Sequence, residues 1–241
     1  MPQPYTIYTQ EGIDLHDLFN VHSNAPMPMK DMLARFEEIF NSYPDELFGD
    51  VPKVKMYNRG INSINNFHLI TQNMPKPFKT EHTIQFSVGE GLPKVQCTAD
   101  RIHLVDGELE IFDYKTGAVM VGQKHSSDIQ APLYIYGAQE AYGFPVRKFV
   151  LLYLDQNKVR VFNRCGAEEY VCEVGKKNYY INLSDTVKEV QHIFSQIKKG
   201  QFNIPRDTKG MYFTCKMCHL KEQGVCQGAE IQAWKQYNKR G

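Results

Sequence analysis

The segment VQCTADRIHLVDGELEIFDYKTG restricts the fold more than any other part of the sequence. Its Asp106-Gly107 pair lies between two runs rich in β-branched and apolar residues, and both residues tolerate the positive φ that tight hairpin turns need. The pattern predicts an antiparallel hairpin with strands near residues 94–105 and 108–115. Folding at this turn would bring Asp100, on the first strand, close to Asp113 on the second.

The second strand of this hairpin ends in an acid and a base on the same face. Side chains alternate along a strand, so Asp113 and Lys115 follow the apolar Leu109 and Ile111 on one face. The usual meaning of such an Asp-x-Lys pair is a solvated surface ion pair of little consequence. Here Asp100 adds a second carboxylate, and two carboxylates brought this close must share a cation or a proton. The pattern therefore favours a divalent-metal site.

Length and composition indicate a globular protein outside the membrane. The chain has 241 residues, of which 42% are hydrophobic and 23% charged, so it can bury a full core. The longest apolar run, FVLLYL, is far shorter than the roughly 18 residues of a membrane span. The first residues, MPQPYTIYTQEG, have neither the basic nor the apolar region of a signal peptide. We therefore expect a cytoplasmic protein that does not bind membranes.

The charge distribution is uneven along the chain. Residues 1–120 carry 10 Lys and Arg against 16 Asp and Glu, whereas residues 121–241 carry 18 against 11. A basic half can supply a local phosphate-binding surface even when the net charge is only +1. The alternative is a chance imbalance spread over solvated faces.

Periodicity predicts an alternation of helices and strands. Residues 45–80 are ambiguous, because prolines and Gly60 interrupt their helical stretches. In the second predicted helix, five residues form an apolar stripe: Met29, Met32, Leu33, Phe36 and Phe40. The predicted helices are 11–23, 28–42, 126–142 and 183–199, and further strands are predicted at 81–88, VRKFVLLYL and KVRVFNR. This order predicts an α/β fold with a mixed central β-sheet flanked by helices.

Three regions follow from this organisation, and we expect them to form one compact unit. Residues 1–80 are a helical N-terminal region, residues 81–205 are the core, and residues 206–241 are a cysteine-containing tail.

Two further motifs complete the set that carries chemistry. GIDLH places Gly12 and His16 one helical turn apart, and DIQAPLYIYG places Gln130 and Tyr134 on one face of a helix. In chain order, GIDLH, TADRIHL, IFDYKTG and DIQAPLYIYG resemble the GxxxH, GxxDRI, (I/V)DYKTG and QxxxY motifs of one nuclease family. This family is the RecB-type, CRISPR-associated exonuclease-like branch of the PD-(D/E)XK nuclease superfamily. The motifs cover residues 12–137.

The resemblance implies a restriction-endonuclease-like core that hydrolyses phosphodiester bonds with a divalent metal ion. Mg²⁺ and Mn²⁺ prefer oxygen ligands, which Asp100, Asp113 and the backbone carbonyl of Tyr114 could supply. His16 would be a further ligand. The lysine of the DYKTG motif, Lys115, would orient or deprotonate the attacking water and offset negative charge in the transition state.

By the same resemblance, Gln130 and Tyr134 help to place the lysine or the scissile phosphate. Each can also be an ordinary residue of a helix surface.

Some assignments have direct rivals in the sequence. His16 can be an ordinary histidine of an amphipathic helix, and His22 and His68 are rival histidines. Glu81 matches an acid found ahead of the first strand in such nucleases, but we interpret it as structural. Arg101 either contacts phosphate or pairs with an acid.

The function that follows is a metal-dependent DNA nuclease. We expect a single-stranded DNA exonuclease, or one that acts on ends, in DNA repair, recombination or the processing of phage and mobile-element DNA. A helicase or recombination protein is the expected partner. The alternative is a nuclease-like module that binds DNA or a helicase without turnover. A phosphoesterase for small substrates is the third reading, and no nucleotide-specific signature supports it.

The tail contains three clustered cysteines in CKMCHLKEQGVC, namely Cys215, Cys218 and Cys226. They predict a structural zinc site or iron–sulfur cluster. Relatives that hold a [4Fe–4S] cluster have a further cysteine before the GxxxH motif, whereas no cysteine precedes His16 here. A fourth ligand would be His219, Cys165, Cys172 or a group from outside the chain, and Cys97 is expected to be a small buried residue. The alternative is three reduced cysteines without metal.

Overall fold

The computed structural model describes residues 6–116 and 129–200. The chain divides into two compact units, Tyr5–His192 and a second that combines Met1–Pro4 with Ile193–Gly241. The fold described below belongs to Tyr5–His192, apart from the last turns of its final helix.

The helices are α1 (Ile7–Asn24), α2 (Met29–Asn41), α3 (Lys53–Thr71), α4 (Gln130–Tyr142) and α5 (Leu183–Lys198), with a 3₁₀ turn at Asp45–Leu47. The strands are β1 (Lys79–Phe86), β2 (Val95–Val105), β3 (Glu108–Lys115), β4 (Val146–Tyr153), β5 (Lys158–Arg164), β6 (Glu169–Val174) and β7 (Lys177–Asn182).

These strands form one sheet in chain order from β1 to β7. Neighbouring strands are antiparallel, except that β3 and β4 are parallel. A parallel pair needs a crossover connection, and α4 lies in the chain between these two strands. The mixed sheet with flanking helices confirms the predicted α/β class.

The turn between β2 and β3 has the predicted geometry. Asp106 and Gly107 have φ values of 52° and 78°, the left-handed region that a two-residue hairpin turn requires. Arg101 pairs with Phe112, so Asp100 and Asp113 are the next residues along the same register. The hairpin therefore confirms the predicted approach of these two carboxylates.

Helices cover the two faces of the sheet differently. Helices α1, α2 and α3 pack with one another and with one face, where Phe112, Tyr114 and Leu152 join their apolar core. Helix α4 packs against β1, β2 and β4, where Tyr134 contacts the ring of Phe149. Because residues alternate along β3, Asp113 faces away from the core that holds its neighbours Phe112 and Tyr114.

Helix α2 confirms its predicted apolar stripe. Met32, Phe36 and Phe40 are buried, and Met29 and Leu33 pack partly buried against the same core.

The ambiguous segment 45–80 contains a helix that the sequence did not predict. Pro52 is the N-cap of α3, where a proline is tolerated, so it begins the helix instead of interrupting it. Gly60 lies under the ring of Phe36: a Cβ atom at this position would lie 2.0 Å from Phe36 Cζ. The glycine therefore lets α2 and α3 pack closely.

Several other boundaries differ from the prediction. Helix α1 begins at Ile7 because the hydroxyl of Thr6 accepts a hydrogen bond from Thr9 N, which caps the helix before residue 11. Helix α4 begins at Gln130, whereas the predicted start was residue 126. Residues 126–128 lie outside the described residues. Its stop at Gly143, with φ 70°, is as predicted. Strands β6 and β7 were not predicted.

Candidate active site

The predicted site residues come from four elements that meet at one end of the β2–β3 hairpin. Asp100 is on β2, Asp113 and Lys115 are on β3, His16 is on α1, and Gln130 begins α4. The contacts among these side chains form two adjacent groups.

The first group is a cluster of His16, Glu81 and Asp100, which we call the acid–histidine cluster. One ligand atom from each residue lies within 4.8 Å of the others. His16 Nδ1 is 3.2 Å from Asp100 Oδ1 and 3.7 Å from Glu81 Oε1. Two carboxylates and an imidazole in this arrangement fit a hard divalent cation such as Mg²⁺ or Mn²⁺.

Glu81 brings two unusual features to this cluster. Its φ is 42°, although a non-glycine residue in the left-handed region is strained by about 1–3 kcal/mol. Its Oε1 atom is buried and has no hydrogen-bond partner among the described residues. A carboxylate oxygen without a hydrogen-bond partner beside His16 and Asp100 can bind a cation, so Glu81 belongs with the candidate site.

Charge balance within the cluster also favours a cation. Burial would by itself lower the pKa of His16, but its contacts with Asp100 and Glu81 outweigh that effect and raise the pKa to about 10. A protonated imidazole thus supplies the positive charge between these carboxylates. A divalent cation held by the same three residues could supply that charge instead.

The second group is a network of Asp113, Lys115 and Gln130, which we call the lysine network. Lys115 Nζ is 2.7 Å from Asp113 Oδ2 and donates to Gln130 Oε1 at 3.0 Å. Gln130 Nε2 in turn donates to Asp113 Oδ1 at 3.2 Å. Each side chain contacts the other two, so the ammonium group is held in one position.

The two groups are connected through Asp100 and Asp113. Asp100 Oδ2 accepts a hydrogen bond from the backbone N–H of Tyr114. Burial, followed by the nearby Asp100, raises the pKa of Asp113 to about 6 against the opposing effect of Lys115. The raised pKa of Asp113 therefore reflects first its burial and then its repulsion by Asp100, the neighbouring carboxylate that the hairpin predicted.

Tyr134 and Gly12 help to position helices α4 and α1 against the sheet. The Tyr134 hydroxyl donates to the backbone carbonyl of Thr98 at 2.7 Å, which ties α4 to β2. A Cβ atom at Gly12 would lie 3.3 Å from Thr116 Oγ1, so the glycine lets α1 approach the end of β3 closely. These contacts give a physical reason for the tyrosine of QxxxY and the glycine of GxxxH.

Other candidate residues lie elsewhere. The rings of His22 and His68 are 5.7 Å apart and contact one another, not the acid–histidine cluster. Arg101 points away from the cluster and donates to Ser23 and His103. The backbone carbonyl of Tyr114 stays a predicted ligand.

The cysteines fall into those of the tail and those of the described residues. The tail cysteines Cys215, Cys218 and Cys226 lie outside the described residues. Cys172 is fully buried, and burial raises the pKa of its thiol. Cys165 is exposed, and Cys97 is half-buried on β2.

Sequence reasoning found every residue of the two groups except Glu81. Glu81, in KTEHTIQF, matches an acid found ahead of the first strand in the nucleases that the sequence resembles, but its predicted role was structural.

Comparison with known proteins assigns the family. The sequence model of the PD-(D/E)XK nuclease superfamily matches residues 6–227, and the chain belongs to this superfamily. Proteins of this superfamily are generally nucleases that use divalent metal ions. A comparison with solved structures finds the crystal structure of SSO0001. The match covers 92% of this chain and 95% of the SSO0001 chain, with a TM-score of 0.40 and 16% sequence identity. A search of curated proteins found no match.

Among the described residues, no helix has both the length and the apolar character that a bilayer crossing requires.

Proposed function

We propose that the protein is a metal-dependent deoxyribonuclease of the RecB-type branch, acting as an exonuclease on single-stranded DNA or on DNA ends. The observation that carries this proposal is the placement of the acid–histidine cluster next to the lysine network at one end of the β2–β3 hairpin. A cation site and a fixed ammonium group side by side are the two components that hydrolysis of a phosphodiester needs.

His16, Glu81 and Asp100 would hold the metal ion, with Asp113 as the neighbouring carboxylate. A bound Mg²⁺ or Mn²⁺ would neutralise charge on the phosphate and make hydroxide available near neutral pH. Asp113 could also bind the ion, because each of its oxygens contacts only one of Lys115 and Gln130 and keeps a second lone pair.

Lys115 would act on the attacking water or on the phosphate. Its ammonium has three N–H donors, and two of them point to Asp113 and Gln130. No third partner of this ammonium lies among the described residues, so a water molecule or a phosphate oxygen would accept its third hydrogen bond. The fixed position of this donor lowers the cost of reaching the transition state. Gln130 and Tyr134 would serve as positioning residues, since Gln130 holds the lysine and Tyr134 holds α4 on β2.

The surrounding regions complete the proposal. Residues 81–205 would form the nuclease core, with the helical region 1–80 supplying His16 and the tail 206–241 holding a structural metal through its cysteines. A helicase or recombination protein would deliver the strand, as the resemblance to the RecB-type branch implies.

Cleavage of end-labelled DNA tests the proposal. The protein is incubated with linear single-stranded DNA, circular single-stranded DNA, duplex DNA and RNA, each with Mg²⁺ or Mn²⁺. We expect digestion of the linear single strand and resistance of the circle, which has no end. Digestion of the circle would show an endonuclease, and preference for RNA would contradict the DNA assignment.

Two controls separate the metal site from the alternative binding function. Glu81→Gln should weaken Mn²⁺ affinity in calorimetry, whereas Glu37→Gln, an exposed substitution on α2, should not. Retention of DNA without cleavage under every metal condition would favour a binding module instead of a nuclease.

A further inference from the structure

Arg101 is a buried cation with no acidic partner among the described residues. It is only 4% exposed. Its Nη1 donates to Ser23 Oγ at 3.1 Å, its Nη2 to the Pro75 carbonyl at 3.1 Å, and its Nε to His103 Nε2 at 2.6 Å. None of the ion pairs in the described residues includes Arg101.

None of these three contacts supplies a counter-charge to the guanidinium. The serine hydroxyl and the proline carbonyl are neutral. Tyr114, whose hydroxyl also interacts with Arg101, is neutral as well, because burial raises its pKa. His103 accepts the Nε–H on its own Nε2, so its ring must also be neutral. Burial and the adjacent Arg101 lower the pKa of His103 to about 4, which agrees with a neutral ring. By contrast, the other well-buried arginine, Arg59, has Glu11 at 3.3 Å.

A buried charge without a counter-charge is costly, so proteins pair such groups or use them to bind a ligand. Arg101 lines a pocket of about 410 Å³. None of the described residues that line it is acidic, and Lys76 adds an exposed second cation at its edge. A positive wall without acids fits an anion.

Neutral donors complete the lining. Gln72 contributes a side-chain amide to it, whereas the amide nitrogen of Asn24 already donates to Asn20 and Thr80. His22 Nδ1 accepts a hydrogen bond from Met27 N at 3.3 Å, so the neutral ring carries its proton on Nε2. Arginine with surrounding neutral donors is the side-chain set that recognises phosphate oxygens.

The pocket lies near the candidate active site. Ser23 and His16 are seven residues apart on α1 and therefore on the same face of the helix, about 10 Å apart along its axis. Arg101 directly follows Asp100 on β2. A nucleic-acid strand carries a phosphate at every nucleotide, so a strand held at one place has further phosphates for the other.

We propose that Arg101 and Lys76 form a phosphate-binding subsite that holds the nucleic-acid strand beside the cleavage site. This inference rests on the proposed nuclease function for its ligand, but it can be tested without cleavage. The phosphate belongs either to a strand terminus or to the backbone within the strand.

Binding measured in EDTA tests the subsite on the full-length protein. Inorganic phosphate is the first probe, and its binding is measured as a shift of the melting temperature. The second probe is a labelled single-stranded oligonucleotide with a 5′-phosphate, a 3′-phosphate or neither, followed by fluorescence anisotropy at several salt concentrations. A preference for one phosphorylated end assigns the subsite to a terminus, and equal affinities assign it to an internal phosphate.

Arg101→Lys keeps the charge but loses the planar fork, so we expect about tenfold weaker oligonucleotide binding and no thermal shift with phosphate. Lys76→Ala changes an exposed residue, so it tests the subsite even if the Arg101 variant does not fold. It should reduce the slope of the logarithm of affinity against the logarithm of salt concentration by about one. Lys177→Ala, an exposed lysine on β7, is the matched control and should bind as wild type.

The outcomes separate this inference from the nuclease proposal. Wild-type affinity for phosphate and DNA in both Arg101→Lys and Lys76→Ala would overturn the subsite, even in an active nuclease. Phosphate-dependent binding lost in these variants would support it, even if no cleavage is found with Mn²⁺.

Discussion

Asp113 and Lys115 are two residues apart on β3 and in contact, yet the structure supports different roles for them. Asp113 is buried near Asp100 and Lys115, and burial, followed by the charge of Asp100, raises its pKa to about 6. Lys115 is 30% exposed, so its ammonium can be reached from solvent while it contacts Asp113 and Gln130.

We predict that Lys115→Ala lowers the cleavage rate by about 10²- to 10⁴-fold while Mn²⁺ affinity stays near that of the wild type. A positioned donor is lost, but no residue of the acid–histidine cluster changes. Asp113→Asn should instead weaken Mn²⁺ binding, because it removes negative charge next to the cluster. Single-turnover cleavage and calorimetry measure the two effects. An equal loss of Mn²⁺ affinity in both variants would contradict the division of roles.

Glu11 is a second buried acid, separate from the candidate active site. Its side chain is 0% exposed and 3.3 Å from Arg59 Nε. Burial raises the pKa of Glu11 to about 7, although Arg59 opposes the rise. The folded state therefore holds a proton that the unfolded state releases near the ordinary value of 4.5.

This difference makes the free energy of unfolding depend on pH. The contribution of Glu11 is fully present below pH 4.5 and is lost as the pH rises through about 7, with a slope of up to about 1.4 kcal/mol per pH unit. We predict that Glu11→Gln removes this slope in urea unfolding between these values. Glu37→Gln is the matched control. An unchanged slope in Glu11→Gln would show that another group causes the pH dependence.

Glu81 shows what residue patterns leave out. Asp100, Asp113 and Lys115 could be found because a hairpin and a period of two depend only on neighbouring residues. The role of Glu81 depends on a left-handed backbone at that position and on the approach of His16 from a distant helix. No local pattern encodes either one.

Among the elements, α2 and α3 depend on Gly60 for their close packing. Replacement by alanine would improve intrinsic helix propensity by about 1 kcal/mol. The new Cβ atom would lie 2.0 Å from Phe36 Cζ, however, and overpacking costs about 1–3 kcal/mol.

We predict that Gly60→Ala lowers the free energy of unfolding, measured by urea denaturation, because the overpacking exceeds the propensity gain. Asn58→Ala, at an exposed position of the same helix, should leave it unchanged or raise it slightly. Adding Phe36→Leu to Gly60→Ala should recover part of the loss through the space it opens. A stabilised Gly60→Ala variant would show that Phe36 moves aside at little cost.

The elements that sequence patterns missed share a physical cause. Pro52 and Gly60 resemble helix breakers, but one caps α3 and the other fits under a ring of another helix. Strand β6 alternates only weakly, with Tyr170 and Cys172 buried between exposed residues. Tertiary contacts, not local propensity, decide these cases.

For the whole molecule, the tail cysteines predict a bound metal that stabilises the folded chain. Three thiolates can chelate one ion, and a metal bound only in the folded state adds to stability. We predict zinc or iron in the purified protein and a lower content in Cys218→Ser, measured by elemental analysis together with the absorption spectrum. Cys97→Ser is the control with a cysteine outside the tail. A colourless, metal-free protein whose melting temperature does not change in a strong chelator would exclude the site.

The single parallel pair in the sheet has a consequence for the order of folding. Every antiparallel pair joins strands that follow one another directly, so β1 to β3 and β4 to β7 can each assemble from local contacts. Pairing β3 with β4 must first close the loop of residues 116–145, which carries a larger entropy cost. Asp113 and Lys115 of the proposed site lie on β3, whereas Gln130 lies within the segment that must be closed. We therefore expect the β2–β3 hairpin, with Asp100 and Asp113, to form before Gln130 reaches Lys115 in the lysine network.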